Sequence, residues 1–150
     1  MAICKVMYLS DRDKWQLMIL AWERLSSLTL PSSSTVVVDI DATLINESGE
    51  RIEPVCWFYD QVLQTGLIPV LITARPSVPN VVEETEFQLY NANVMDYESI
   101  YFRDPSETDI QKYKTNCRKN LWERDYRIIM SIGDKPWDVG EYGGIGVLLQ

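Results

Sequence analysis

The run Thr35-Val36-Val37-Val38-Asp39-Ile40 constrains the fold more than any other stretch of the chain. It is β-branched and does not alternate between apolar and polar, so a strand made from it has no face for solvent. Strands buried on both faces belong to parallel sheets covered by helices. Ile68-Pro69-Val70-Leu71-Ile72-Thr73 reads the same way, and Ser99 to Phe102, Arg127 to Ile132 and Ile145 to Leu149 read as shorter strands. Between them the apolar spacing predicts helices from Pro54 to Gly66, over residues 79–92, and within Ser106 to Arg124. An N-terminal helix is expected over residues 11–29. Ser10 with Asp13 resembles a capping pair, and Trp15, Met18, Trp22, Leu25 and Leu28 form its apolar stripe. Asn46 to Glu50, flanked by Leu44-Ile45 and Arg51-Ile52, predicts a small projecting flap. Helices alternating with strands in this order imply an open parallel α/β sheet of about five strands with right-handed crossovers. Residues 1–150 are read as a single domain, with its core over residues 35–150.

Composition narrows the chemistry. The chain contains no histidine, which excludes a Ser-His-Asp triad, a phosphohistidine and any metal site built on imidazole. Fourteen basic against 22 acidic residues give a net charge of -8, so general attraction to nucleic-acid phosphates is not built in. Cys4, Cys56 and Cys117 are odd in number and form no C-x-x-C pair, which points to a reducing, cytoplasmic setting. Met1 to Leu9 is interrupted by Lys5, and no apolar run approaches the length of a membrane span, so neither an export signal nor a membrane partner is expected. A Cys-x5-Arg phosphatase loop is absent, because the residues six positions after the cysteines are Ser10, Val62 and Glu123. No Gly-x4-Gly-Lys-Ser/Thr occurs, and Gly140, Gly143, Gly144 and Gly146 do not fit Gly-x-Gly-x-x-Gly.

In an open parallel sheet, ligands sit beyond the carboxyl ends of the strands. Three expected strands end there in polar groups. Asp39 and Asp41 stand at i and i+2, so an extended backbone points both carboxylates the same way. Held together, they raise each other's pKa and suit a hard cation such as Mg²⁺, whereas the plainer reading is a turn that caps Thr43. Thr73 ends a second strand, where a hydroxyl and nearby amides can hold a phosphoryl oxygen. Gly133-Asp134-Lys135-Pro136-Trp137-Asp138 places two acids four residues apart after the fourth strand, which fits a divalent cation and equally an ordinary turn. Lys114 lies at i+4 from Ile110 and i−3 from Cys117, on the inward stripe of its helix, while Lys112 and Lys119 fall on the far side. A helix beginning later would leave Lys114 solvated in a first turn. The five tryptophans, Trp15, Trp22, Trp57, Trp122 and Trp137, read mainly as packing, with Trp137 placed to line a substrate entrance.

Taken in order, Asp39-x-Asp41-x-Thr43, Thr73, Lys114 and Gly133-Asp134-x3-Asp138 resemble the four-motif signature of the haloacid dehalogenase (HAD) superfamily of phosphohydrolases. The stretch from Lys112 to Asp138, with Lys-Tyr-Lys-Thr, Arg118 and Gly-Asp-Lys-Pro-Trp-Asp, is most similar to the acid phosphatase branch. The resemblance implies a Rossmann-like core and hydrolysis of phosphomonoesters. It casts Asp39 as nucleophile, Asp41 as general acid and base, and Thr73 and Lys114 as holders of phosphoryl oxygens. It implies Mg²⁺ on Asp39, the backbone carbonyl of Asp41, and Asp134, with Asp138 in direct contact or one shell out. Thr43, Ala74, Arg75 and Trp137 become the substrate-side residues, with Arg75 and Trp137 nearest the leaving group.

The branch often has Glu or Gly where this chain has Ala42, and its secreted members carry export signals not seen here. Only 32 positions separate Asp41 from Thr73 and 41 separate Thr73 from Lys114, which leaves no room for a large cap domain. The expected site is therefore open, for a small phosphorylated molecule or an exposed phosphate on a larger one. The N-terminal helix or a second copy in a homodimer would wall it. A nucleic-acid 3′-phosphatase and a catalytically silent HAD domain serving as a binding module are the alternatives. A phosphoacceptor receiver is disfavoured because an acidic loop follows Lys114, and receivers place their lysine last.

Overall fold

The computed structural model describes residues 9–150, so Cys4 and the reading of residues 1–8 lie outside the described residues. The order is α1 (Asp11–Ser26), β1 (Ser34–Val38), α2 (Glu53–Gln64), β2 (Ile68–Pro76), α3 (Pro79–Asn91), β3 (Ser99–Arg103), α4 (Ile110–Glu123), β4 (Arg127–Gly133) and β5 (Ile145–Leu148), with a 3₁₀ turn over Pro136–Asp138. Every strand pair is parallel and the sheet order is β3-β2-β1-β4-β5. The α/β architecture with flanking helices and a small flap, and with no large cap among the described residues, is the one the sequence implies.

β1 is buried along its whole length because both faces are covered. Val36 and Val38 join Met18, Leu25, Phe58, Tyr59 and Leu89 in a core beneath α1, α2 and α3, whereas Val37 joins Val70, Ile72, Tyr113 and Leu121 on the α4 side. The chain winds outward from β1 to β3, then returns through α4 to place β4 on the other flank of β1. Strand order thus reverses at β1, and the crevice at the carboxyl ends of β1 and β4 is where this topology places a ligand.

Local chemistry accounts for the element ends. Ser10 Oγ accepts the Asp13 amide at 3.2 Å to open α1, and Asp109 accepts that of Lys112 at 3.1 Å to open α4. α1 stops at Ser26 rather than residue 29, because the Ser26 and Ser27 hydroxyls bond back to carbonyls of the last turn. It docks on α2 through Trp15–Trp57 and an edge-on Trp22–Phe58 pair, with ring centroids 5.9 and 5.7 Å apart. β2 runs on to Pro76, and its pairing with β3 breaks between Ile72 and Pro76, which frees the Thr73–Arg75 backbone from a regular ladder. The flap is closed by the Ile45–Arg51 bridge and by Asn46 Oδ1, which accepts the amides of Ser48 and Glu50 at 2.9 and 3.0 Å. Among the described residues no helix is long and apolar enough to cross a membrane.

Candidate active site

Asp39 is the first residue beyond β1, held in register by its amide, which donates to the Ile132 carbonyl at 2.9 Å. Its side chain is nearly buried. Oδ1 accepts from Lys114 Nζ at 2.9 Å, and Oδ2 receives only a long 3.4 Å contact from the Thr43 hydroxyl. Lys114 is 2% exposed and donates also to the Ile72 carbonyl at 2.7 Å, while Lys112 is exposed, so Lys114 is the lysine that reaches the strand ends. Nζ lies 2.7 Å from Asp138 Oδ1 as well.

That last contact has the distance of an ion pair without hydrogen-bond alignment, since Asp138 Oδ1 is buried and has no hydrogen-bond partner. The other oxygen, Oδ2, accepts the Lys135 amide at 3.0 Å and so ties the 3₁₀ turn to its entry. Arg118 braces this loop from α4. Wholly buried, it donates to the carbonyls of Glu141 and Trp137 at 2.8 and 2.9 Å. Trp137 is half-buried, and its carbonyl is committed to this brace. Arg118 stands one turn beyond Lys114 on the same inward stripe, which is the signal in the sequence for its position.

Gly133 closes β4 against Asp138, and a Cβ built there would overlap the Asp138 side chain. Gly133→Ala is therefore expected to push Asp138 off its position at a cost of about 1–3 kcal/mol. Thermal melting checks this: the midpoint should fall.

Asp41 does not share Asp39's surroundings, contrary to the expectation from an extended i, i+2 pair. The strand ends at Val38, Asp39 is buried and Asp41 exposed, and the chain turns directly after Asp41 at Ala42, which takes a left-handed conformation with φ 56°. There Arg75 grips it bidentately, Nε to Oδ2 at 2.9 Å and Nη2 to Oδ1 at 2.7 Å. Thr73 is buried, and its Oγ1 accepts the Arg75 amide at 3.1 Å. The Ala74 carbonyl accepts Arg103 Nε at 2.8 Å. Tyr113 Oη lies 2.7 Å from the Thr73 carbonyl and 2.9 Å from that of Tyr101, so its one proton serves both. Arg103 and Tyr113 thus hold the irregular part of β2 in place; neither was singled out from sequence, where nothing distinguishes them from surface or core residues.

The charges do not balance within the cluster. Asp39, Asp134 and Asp138 each offer an oxygen, all within 4.8 Å of one another, and the Lys114 ammonium bridges Asp39 and Asp138. Burial pulls Lys114 down, but Asp39 and Asp138 outweigh it and hold the ammonium above its ordinary pKa. Burial first, then Asp138 and Asp134 against the opposing pull of Lys114, pushes the Asp39 carboxyl well above its ordinary value. Three clustered acids, two sharing one buried ammonium and the third with only a 3.9 Å approach from the half-exposed Lys135, with a buried carboxylate oxygen lacking an aligned donor, fit a hard divalent cation with oxygen ligands. The Asp41 carboxylate is outside this group, and the expectation for it concerned its backbone carbonyl.

Comparison with known proteins defines the class. The chain belongs to the HAD superfamily, subfamily IIIB (acid phosphatase), whose family pattern matches residues 46–144. It is a phosphatase by that membership, and the match holds Thr73, Lys114, Asp134 and Asp138 while beginning after Asp39 and Asp41. No curated protein matches the sequence. Among solved structures, the chain is similar to the class C acid phosphatase from Bacillus anthracis, with a TM-score of 0.70 at 14% identity over 93% of this chain and 75% of that one. A tungstate-bound structure of class C acid phosphatase from the same organism gives 0.72 at 14% identity, over 93% and 75% of the two chains. The Pnkp1/Rnl/Hen1 RNA repair complex gives 0.62 at 19% identity, covering 81% of this chain and 44% of that one.

Proposed function

We propose that the protein is a Mg²⁺-dependent phosphomonoester hydrolase that works through an aspartyl phosphate on Asp39. The observation that carries this reading is the convergence of Asp39, Lys114, Asp134 and Asp138 at the β1–β4 switch point. Asp39 Oδ2, with only the long Thr43 contact, is the oxygen left to attack phosphorus, while Lys114 fixes Oδ1. The bond from Oδ2 to phosphorus forms as the phosphorus–alkoxide bond breaks, and Asp41 gives its proton to the departing oxygen. Asp41 then takes a proton from water, whose oxygen attacks phosphorus and returns Asp39 as a carboxylate with inorganic phosphate. Asp39, Asp134, Asp138 and the Asp41 carbonyl would hold Mg²⁺, which supplies charge neutralisation on the phosphoryl oxygens. Lys114 and the Thr73 segment add to that neutralisation.

The substrate side holds Thr43, Ala74, Arg75 and Trp137 and has no cap over it, which suits a small phosphorylated molecule or a phosphate exposed on a larger one. Cys56 and Cys117 are free thiols, burial pushing both up to about 11 and keeping them unreactive. Fold likeness to an RNA repair complex supports a second reading, a 3′-phosphatase on nucleic-acid ends, against which the charge of -8 weighs.

The test is hydrolysis of p-nitrophenyl phosphate. Chelator is expected to cut turnover about 100-fold or more, with Mg²⁺ restoring it. Chelator-insensitive turnover, or none by folded, Mg²⁺-supplied protein on this ester or a 3′-phosphorylated oligonucleotide, would sink the reading.

A further inference from the structure

The Arg75 guanidinium is held from both sides. Beyond its fork to Asp41, Nη1 donates to Thr85 Oγ1 at 2.9 Å and to Gln88 Oε1 at 2.7 Å, both from α3. Thr85 is wholly buried and passes its own proton to the Val81 carbonyl at 2.7 Å, so its oxygen presents a lone pair to Arg75 and nothing else. Of the five N–H groups of a guanidinium, four are therefore used, and one on Nη2 has no partner among the described residues. Gln88 also lies under the flap, its side chain 3.7 Å from where a Cβ on Gly49 would stand.

We infer that Thr85 and Gln88 are positioning residues for the general acid: they lock the Arg75 fork, and the fork fixes the direction of the Asp41 carboxylate. Asp41 needs this support, because its side chain is 56% exposed and stands on a turn rather than in the sheet. Without the α3 acceptors, Arg75 keeps its charge but loses its fixed plane, and Asp41 samples directions from which it cannot reach the leaving oxygen. The geometric cost falls on proton transfer and not on phosphate capture, since Lys114 and the acidic cluster lie elsewhere. The inference rests on the hydrolase reading above, with Asp41 as proton donor.

The choice of leaving group tests it. An alkyl phosphate expels an alkoxide that must be protonated as it leaves, whereas p-nitrophenolate departs as a stable anion. For Gln88→Leu and for Thr85→Val, kcat on an alkyl phosphate is expected to fall about 10-fold further than kcat on p-nitrophenyl phosphate, part of the 10²–10⁴ a positioned acid supplies. KM should move little. Gln88→Glu and Thr85→Ser, which keep the acceptor oxygen, should restore the ratio. Equal losses on both esters, an unmoved ratio, or no rescue by the acceptor-bearing variants would overturn the brace while the phosphatase reading stands. If the folded wild type turns over neither ester, the reaction itself fails, and the brace with it. Thr85→Val keeps the inference testable should Gln88→Leu not fold.

Discussion

Asp39→Asn is expected to remove turnover, by about 10⁴-fold or more, without loosening the fold. The amide has the shape of the carboxylate, and its oxygen can still accept from Lys114, but it cannot attack phosphorus. The wild-type carboxyl is pushed well above its ordinary value by burial, with Asp138 adding to it and Lys114 opposing, so its ionised form is a liability in the metal-free protein. The unfolded chain ionises this group first. Between the ordinary carboxylate range and the raised folded value, the native state binds more protons than the unfolded one, so this residue makes stability fall as pH rises. In chelator, Asp39→Asn should lack that decline and melt no lower than wild type, while its stabilisation by Mg²⁺ is reduced. Rates on p-nitrophenyl phosphate and melts across pH measure both. A residual rate within 10-fold of wild type would remove Asp39 from the role of nucleophile.

What could be read from sequence depended on whether one element carried the signal. The unalternating valines of β1 specify a strand buried twice over, and from that the parallel sheet and its switch point follow. The period of Ile110, Cys117 and Leu121 puts Lys114 on the inward stripe, the family resemblance favours it over Lys112, and the helix buries it beside Tyr113, Arg118 and Leu121. Asp41 shows where such reasoning stops. Its carboxylate is held by an arginine 34 positions away, which is not visible in the pair spacing. Thr85, Gln88, Tyr113 and Arg103 act through contacts that only the tertiary fold creates. Arg75 is expected from sequence to touch the leaving group, whereas the structure makes it the partner of Asp41.

Lys114→Met should be the most destabilising single change at the site. The methionine fills much of the same volume, so the loss is electrostatic. Asp39 and Asp138 are left buried without their shared ammonium, and the Ile72 carbonyl loses its donor. Removing one partner of a buried pair costs about 3–5 kcal/mol. For a chain of this size that corresponds to a drop of roughly 10 °C in the melting midpoint. On the proposed mechanism turnover should fall as well, since the same ammonium would neutralise the phosphoryl oxygens. Lys112→Met, two residues away on the exposed side, should change stability by no more than about 0.5 kcal/mol. Urea melts separate two contributions. In chelator the full cost appears. In excess Mg²⁺ part of it returns, because a cation bound only by the folded form stabilises it in proportion to the logarithm of its concentration over Kd. A Lys114→Met protein that melts within 1 kcal/mol of wild type in chelator would mean that the acids shed their charge by taking up protons, and that the lysine does not hold the cluster together. Recovery by Mg²⁺ is what distinguishes a cation site from a purely structural ion pair, for which added metal would leave the loss as it was.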